Sequence, residues 1–141
     1  MFKKSQEELK ALGAHITTAE IKQQPELWVS TFGIYQENLS AIKEFVERAL
    51  NLGEGRRTRV VFTGAGTSAY VGDTITPYLR SHGEKSSFEF ASVATTDIVS
   101  DPYGSLDPDD PTVLVSFARS GNSPESLAAV NIARKIVKNL L

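Results

Sequence analysis

The sequence predicts an α/β fold. It reads as a parallel sheet with helices on its faces, incomplete in its strands and preceded by N-terminal helices. Three observations support this. After residue 56 the order strand, loop, helix recurs, which is the grammar of a parallel sheet with helices on its faces. The run Val113-Leu114-Val115 is apolar without alternation, as a strand buried on both faces should be. The first 55 residues carry apolar spacings of three and four and no strand texture. Only three strands are legible, whereas doubly wound sheets usually carry five or six. The chain is therefore expected to be the front part of a longer protein, or a domain cut short, ending in or just after a helix with no strand to return to.

The elements follow in order. Residues 1–16 lack strong periodicity and predict a loose leader with a short helix near Glu7–Leu12. Thr17-Thr18-Ala19-Glu20 reads as a helix start, a hydroxyl cap followed by an acid, and this helix is expected to end at Gln24, before Pro25. A longer amphipathic helix is expected from Trp28, with Phe32, Tyr35, Leu39, Ile42, Phe45, Val46 and Leu50 on one stripe. That stripe, which holds the single tryptophan, is expected to pack as core. Asn51-Leu52-Gly53-Glu54-Gly55 closes it with glycines suited to a C-cap. Val60–Thr63 is the first strand. A helix from Ala69 to about Ser81 follows, kinked at Pro77 and ended by Gly83. Ser87–Ala91 is the second strand, Asp97-Ile98-Val99 a short helix or turn, and Asp101-Pro102-Tyr103-Gly104 a loop. Thr112–Phe117 is the third strand, and a last helix is expected over Ser123–Leu140.

Composition narrows the function classes. The 141 residues hold 15 Lys+Arg against 17 Asp+Glu, a formal net charge of −2, with 40% hydrophobic residues and no cysteine. One ordinary domain with a real core fits this length. Disulfides and thiolate metal sites are excluded. The acidic balance argues against a nucleic-acid scaffold, and no stretch has the roughly 18 apolar residues of a membrane span. The N-terminus lacks the apolar core of a secretory signal, so a cytoplasmic setting is expected.

Two loops carry the chemistry. Both leave the C-terminal end of a predicted parallel strand and enter a helix, where open α/β sheets bind ligands. Gly64-Ala65-Gly66-Thr67-Ser68 offers glycines for close backbone approach and two hydroxyls at a helix start. Arg119-Ser120-Gly121-Asn122-Ser123-Pro124-Glu125-Ser126 repeats the arrangement, with Ser123 at the cap and Pro124 at the first helical position. Free N–H groups and the positive helix end make each an anion site. A single such serine is ordinarily only a cap; the pair of loops, with four hydroxyls (Thr67, Ser68, Ser120, Ser123) and one cation, exceeds what capping requires and reads as a phosphate cradle. Gly64-x-Gly66-x-x-Ala69, with Glu89 as a ribose acid, also satisfies a dinucleotide fingerprint, but that scheme has no place for the second loop. No Gly-Lys-Ser/Thr is present, which removes a P-loop. Ala118 and Asn122 replace the glycines of a nucleophile elbow. The acidic turn Asp107–Asp110 lacks calcium-loop spacing. Arg56, Arg57 and Arg59 read as a solvated strand entry, and His15 and His82 as surface residues.

Thr63-Gly64-Ala65-Gly66-Thr67-Ser68-Ala69 and Ser116-Phe117-Ala118-Arg119-Ser120-Gly121-Asn122-Ser123-Pro124-Glu125-Ser126 together resemble the sugar isomerase (SIS) domain, within it the AgaS type. The likeness extends upstream through Thr18–Trp28. Members of that type have been called tagatose-6-phosphate ketose/aldose isomerase and galactosamine-6-phosphate deaminase/isomerase. The resemblance implies a three-layer, flavodoxin-like doubly wound fold: a helical segment over 1–55 and, over 56–141, the first part of a SIS domain cut short before its last strands. It implies an enzyme that converts a ketohexose or hexosamine 6-phosphate in amino-sugar catabolism. Ser68, Ser120 and Ser123 would bond the phosphate oxygens, Gly66, Thr67, Gly121 and Asn122 would shape the loops, and Arg119 would sense the ligand or reach across a subunit boundary. It implies a sugar phosphate and further copies of the chain as partners, and neither metal nor cofactor. The resemblance implies that the catalytic base and the ring-opening acid are supplied largely by the later half of such proteins, beyond residue 141; Glu125 reads as a complement to its helix dipole. A SIS module that binds a sugar phosphate without chemistry is the alternative.

Overall fold

The computed structural model describes residues 1–141. The chain divides into two compact units, Met1–Glu44 and Phe45–Leu141.

The first unit is helical. Helix α1 (Gln6–Ala11) opens on a capping box in which Ser5 and Glu8 satisfy each other's backbone N–H. Helix α2 runs His15–Glu37 and passes straight through Pro25, where the sequence led us to expect an end. A proline inside a helix costs about 3 kcal/mol. Stopping and restarting costs a new nucleus, roughly 4 kcal/mol for σ of 10⁻³, so continuation is favoured. Thr17 and Thr18 are consequently interior residues, not caps. The break falls instead at Asn38, whose Nδ2 donates to the Ile34 carbonyl at 2.8 Å and closes α2. Helix α3 (Leu39–Asn51) then starts anew and continues into the second unit. The apolar stripe does not pack as core. Trp28 is 67% exposed, and Phe32, Tyr35, Ile42 and Phe45 are exposed as well. Packing of α1 on α2 buries Leu9 and Thr18, and a six-residue helix is too short to cover the stripe too.

The second unit is a parallel sheet of order β2-β1-β3, with β1 at Thr58–Gly64, β2 at Phe88–Ser92 and β3 at Thr112–Phe117. Helix α4 (Thr67–His82) joins β1 to β2 and contains Pro77 without ending there; Gly83 caps it. Helix α5 (Thr95–Ser100) is followed by α6 (Pro102–Ser105), a single turn where a loop was expected. Its signal was present: the Asp101 side chain accepts from the Gly104 N–H at 3.0 Å, with proline at the first position. Helix α7 occupies Pro124–Ile136 and ends four residues before the expected Leu140.

After α7 the chain does return to the sheet, against the expectation, through residues Asn139–Leu141 and as an isolated bridge. The Thr112 N–H donates to the Asn139 carbonyl, the Leu141 N–H to Thr112, and the Leu114 N–H to Leu141, at 2.9–3.0 Å, forming a parallel bridge on the free edge of β3. α7 is thus the crossover that parallel neighbours need. The resulting order, β2-β1-β3 followed by this edge, is the start of a flavodoxin-like sheet.

Strand periodicity of two divides the core between the sheet's faces. Val61 joins Ile98, Leu106, Ala129, Ala133 and Val137 on the side of α5 and α7. Val60 and Phe62 join Phe90, Val113 and Ala49 of α3 on the other, with Leu79 of α4 against them. The three arginines at the strand entry tie loops down: Arg56 and Arg59 donate to the Asp109 and Ser105 carbonyls, and Arg57 pairs with Glu89 at 3.6 Å.

Ile98 is fully buried, so Ile98→Ala should cost about 2–5 kcal/mol, whereas Trp28→Ala should change stability by less than about 0.5 kcal/mol. Denaturant unfolding of the two variants checks the contrast. The Lys138–Asp109 pair at 2.5 Å fastens the residue before that bridge. The hydrogen bond from Lys138, and then its charge, hold the Asp109 carboxyl below its ordinary value of 3.8, and the same bond raises Lys138. A lowered acid contributes stability above its unfolded pKa and loses it as pH falls through the folded one; a raised lysine loses its share only as pH rises through its own folded value. Asp109→Asn should therefore lower the melting temperature slightly at pH 7, with the difference vanishing below pH 3.8 and shrinking with salt.

Candidate functional site

The site starts from the pairing of β1 with β3. Thr63 lies opposite Ser116 and Gly64 opposite Phe117, so the turns after both strands leave the sheet side by side at its C-terminal end. Both lead directly into helices of 13 residues or more, α4 and α7, whose positive N-terminal ends face the same region.

Each turn depends on local chemistry. Gly66, the N-cap of α4, has φ of +56°, a left-handed conformation that glycine adopts without strain. At Gly64 a Cβ would lie 2.6 Å from the Ser68 carbonyl carbon, so only glycine lets α4 begin this close to β1. No side chain caps α4, which leaves the Thr67 and Ser68 hydroxyls free of that duty. Thr95, buried beneath the turn, donates to the Gly64 carbonyl at 3.3 Å. In the second turn Gly121 has φ of +70°, and Ser120 Oγ accepts from the Asn122 N–H at 3.3 Å. Ser123 caps α7, its Oγ accepting from the Ser126 N–H.

Between the turns lies a cleft of ≈ 310 Å³. The first turn contributes Ala65, Thr67 and Ser68; the second contributes Phe117, Ala118, Arg119 and Ser120; the start of α7 contributes Ser123 and Ser126. Of the residues singled out in the sequence, the structure brings together Thr67, Ser68, Arg119, Ser120 and Ser123. Gly66, Gly121 and Asn122 shape the turns without lining the wall. Ser126 was missed, although it stands three residues after a capping serine, where an N-terminal side chain can face back to the cap. Ser123 is engaged as a cap, the ordinary role that the sequence weighed against ligand binding.

Arg119 is the one charged side chain on the wall, and it makes no ion pair within the chain. Glu125 sits in the first turn of α7 but not on the wall. A shallower depression of ≈ 330 Å³ continues from Thr67, Ser68 and Arg119 over Val71 and Phe117, giving the polar cleft an apolar flank. Glu89 pairs in register with Arg59 near the start of β1, at the opposite end of the sheet from Gly64. The dinucleotide scheme, which needs that acid at the same end as the glycines, is overturned.

His82 is exposed and stacks on Tyr78. His15, expected at the surface, is partly buried as the first residue of α2, and its Nδ1 has no hydrogen-bond partner. Neither histidine lines the cleft.

A doubly wound α/β domain with an anion-ready cleft at its strand ends is the class that fold and geometry define. Residues 55–139 match the family model of the SIS domain, and the chain belongs to that family. It is 44% identical to the D-galactosamine-6-phosphate deaminase AgaS of Escherichia coli over 86% of its length and 39% identical to that of Shewanella sp. (strain ANA-3) over 94%. It spans only 30–33% of the length of those relatives. Among solved structures, a Clostridium novyi NT protein assigned as a tagatose-6-phosphate ketose/aldose isomerase superposes with a TM-score of 0.87 at 41% identity, over 99% of this chain and 34% of that one. The tagatose-6-phosphate ketose/aldose isomerase of Escherichia coli gives 0.79 at 43% identity, over 88% of this chain and 32% of that one. No helix is long and apolar enough to cross a membrane.

Gly64→Ala should destabilise the chain by about 1–3 kcal/mol, because the added carbon meets backbone that cannot swing away. A thermal melt against wild type checks this.

Proposed function

We propose that this chain is the phosphate-binding part of a sugar-phosphate isomerase or deaminase of the AgaS type, acting on a ketohexose or hexosamine 6-phosphate. The convergence of the two hydroxyl-bearing turns on one cleft carries the reading. Ser68, Ser120 and Ser123, with Thr67, Arg119 and the helix ends, would hold the phosphate; Gly66, Gly121 and Asn122 would set the turn shapes. Neutral donors suit a ligand that must bind and leave quickly, and Arg119 supplies one full opposite charge. The apolar flank over Val71 and Phe117 offers a surface for the carbon side of a sugar.

The chemistry asks for more than binding. Aldose–ketose or amino-sugar conversion moves a proton between C1 and C2, which needs a base, and ring opening needs an acid. The cleft wall carries no carboxylate and no imidazole. The base and acid are therefore proposed to come from outside residues 1–141, in line with the chain's one-third share of its relatives' length. The same bare wall favours a second reading, a SIS module that binds a sugar phosphate without converting it. The exposed stripe of Trp28, Phe32 and Tyr35 supports association with further copies of the chain, and the relatives' metabolic names support a cytoplasmic setting without nucleic acid.

Calorimetric titration with a hexose 6-phosphate should show binding without turnover. Ser68→Ala and Ser120→Ala should each weaken binding by about 1–3 kcal/mol, the value of a hydrogen bond to a charged group. Unchanged affinity in both variants would remove the cradle, and turnover by this chain alone would refute an external base.

A further inference from the structure

Charge is distributed unevenly over this chain. Where β2 begins, at the other end of the sheet from the cleft, a second cavity of ≈ 260 Å³ is lined by Arg57, Arg80, Lys85, Phe88, Glu89 and Phe90. Three cations face one acid there, in a chain whose formal net charge is −2. Each cation arrives on a different segment. Arg57 lies just ahead of β1 and, unlike Arg56 and Arg59, holds no carbonyl. Ser87 accepts from the Thr58 N–H and Val93 donates to the Phe62 carbonyl, so the even-numbered residues between them turn their backbone groups to the free edge of the sheet. Arg80, in the last turn of α4, reaches that edge and donates its Nε to the Phe90 carbonyl at 2.8 Å. This bond orients the guanidinium and leaves its two terminal nitrogens free. Lys85 donates to the Ser81 carbonyl at 3.3 Å and keeps two protons. The negative end of α4 accounts for cations at Arg80 and Lys85, but not for Arg57, nor for the turn of Arg80 toward the strand. The acids do not balance the group. Glu89 meets Arg57 at 3.6 Å with both side chains 56% exposed, a pair worth little and easily exchanged for another anion. Glu84 is turned to the Ser86 N–H at 2.8 Å and to the Ser86 hydroxyl. Arg80 and Lys85 make no ion pair.

We infer that this cavity is a second anion site, which takes a small phosphomonoester carrying an apolar ring. The planar forks of Arg57 and Arg80 suit pairs of phosphate oxygens, and Lys85 adds a point charge. Three cations less one carboxylate leave a charge of +2, which a dianion neutralises. Phe88 and Phe90, with ring centres 5.9 Å apart, give the cavity an apolar floor for the ring. A hexose 6-phosphate would press hydroxyls against that floor without partners, so it fits this site poorly. No residue is shared with the cleft, and the inference does not depend on the phosphate-binding reading there.

The test is amide-resolved NMR of the labelled full chain, titrated separately with phenyl phosphate, inorganic phosphate and a hexose 6-phosphate, alongside thermal melts. Phenyl phosphate should shift the amides of Arg57, Arg80 and residues 85–90 in one saturable transition. Inorganic phosphate, lacking the ring, should bind the same amides about fivefold more weakly. The hexose 6-phosphate should leave them unshifted when the cleft is saturated. Arg57→Gln and Lys85→Gln should each weaken phenyl phosphate about fivefold and keep the wild-type melting temperature, since both side chains are exposed. Arg80→Lys, which keeps the charge and loses the fork, should weaken it by a similar factor. Ser120→Ala should not change it. Phenyl phosphate shifts confined to residues 64–68 and 119–126 would overturn the second site, as would affinity at 85–90 that survives the Arg57→Gln/Lys85→Gln double variant. Equal binding of all three probes at 85–90 would overturn the role of the ring. Saturation at 85–90 in a chain whose cleft stays silent would support this site and remove the cleft's.

Discussion

The in-register parallel pairing of β1 with β3 is the constraint on which the site depends. Backbone hydrogen bonds between Arg59–Gly64 and Thr112–Phe117 fix where the two strands stop, and hence where two turns distant in sequence emerge. A slip of one residue would turn Val61 and Val113 to the wrong faces of the sheet, so burial on both faces locks the register. The cleft follows as a by-product of that lock. Its polarity comes from small hydroxyl residues at helix starts, and its openness from glycines at 64 and 66 that keep side chains out of the turn.

Much of the fold was legible because each local signal agreed with the global one. Thr112–Phe117 was readable to the residue, since a β-branched apolar run between an acidic turn and a glycine loop has few other uses. The turns at 64–68 and 119–126 were readable because glycine, hydroxyls and Ser-Pro each have a distinct backbone preference. The misreadings have physical causes as well. Pro25 is a local stop signal, but helix cooperativity carries α2 through it. The break at Asn38 leaves no periodic trace in the sequence, because its effect is a side-chain amide competing for the Ile34 carbonyl. The short pairing of Asn139–Leu141 with β3 was hidden inside an apparent helical pattern, because three residues carry too little period to be seen.

The candidate site shows the same division. Residue types at turns can be read in sequence, but which hydroxyl faces the cleft depends on helix geometry. Ser126 looked like one more helical serine, yet its position three residues after the cap places it on the wall, whereas Asn122, nearer the glycine, lies off it. Trp28 shows the converse limit. Spacing groups it with Phe32 and Tyr35, but the run is broken at Asn38, and Leu27, Val29 and Ile34 are exposed beside it. Spacing cannot say whether anything covers these residues.

The central claim is that two turns bind one phosphate together. The most direct measurement is amide-resolved NMR of the isotopically labelled chain during titration with a hexose 6-phosphate. The expected result is a single saturable transition that shifts amides of both turns, 64–68 and 119–126, with one common affinity. Shifts confined to one turn, different affinities at the two turns, or shifts elsewhere on the sheet would contradict it.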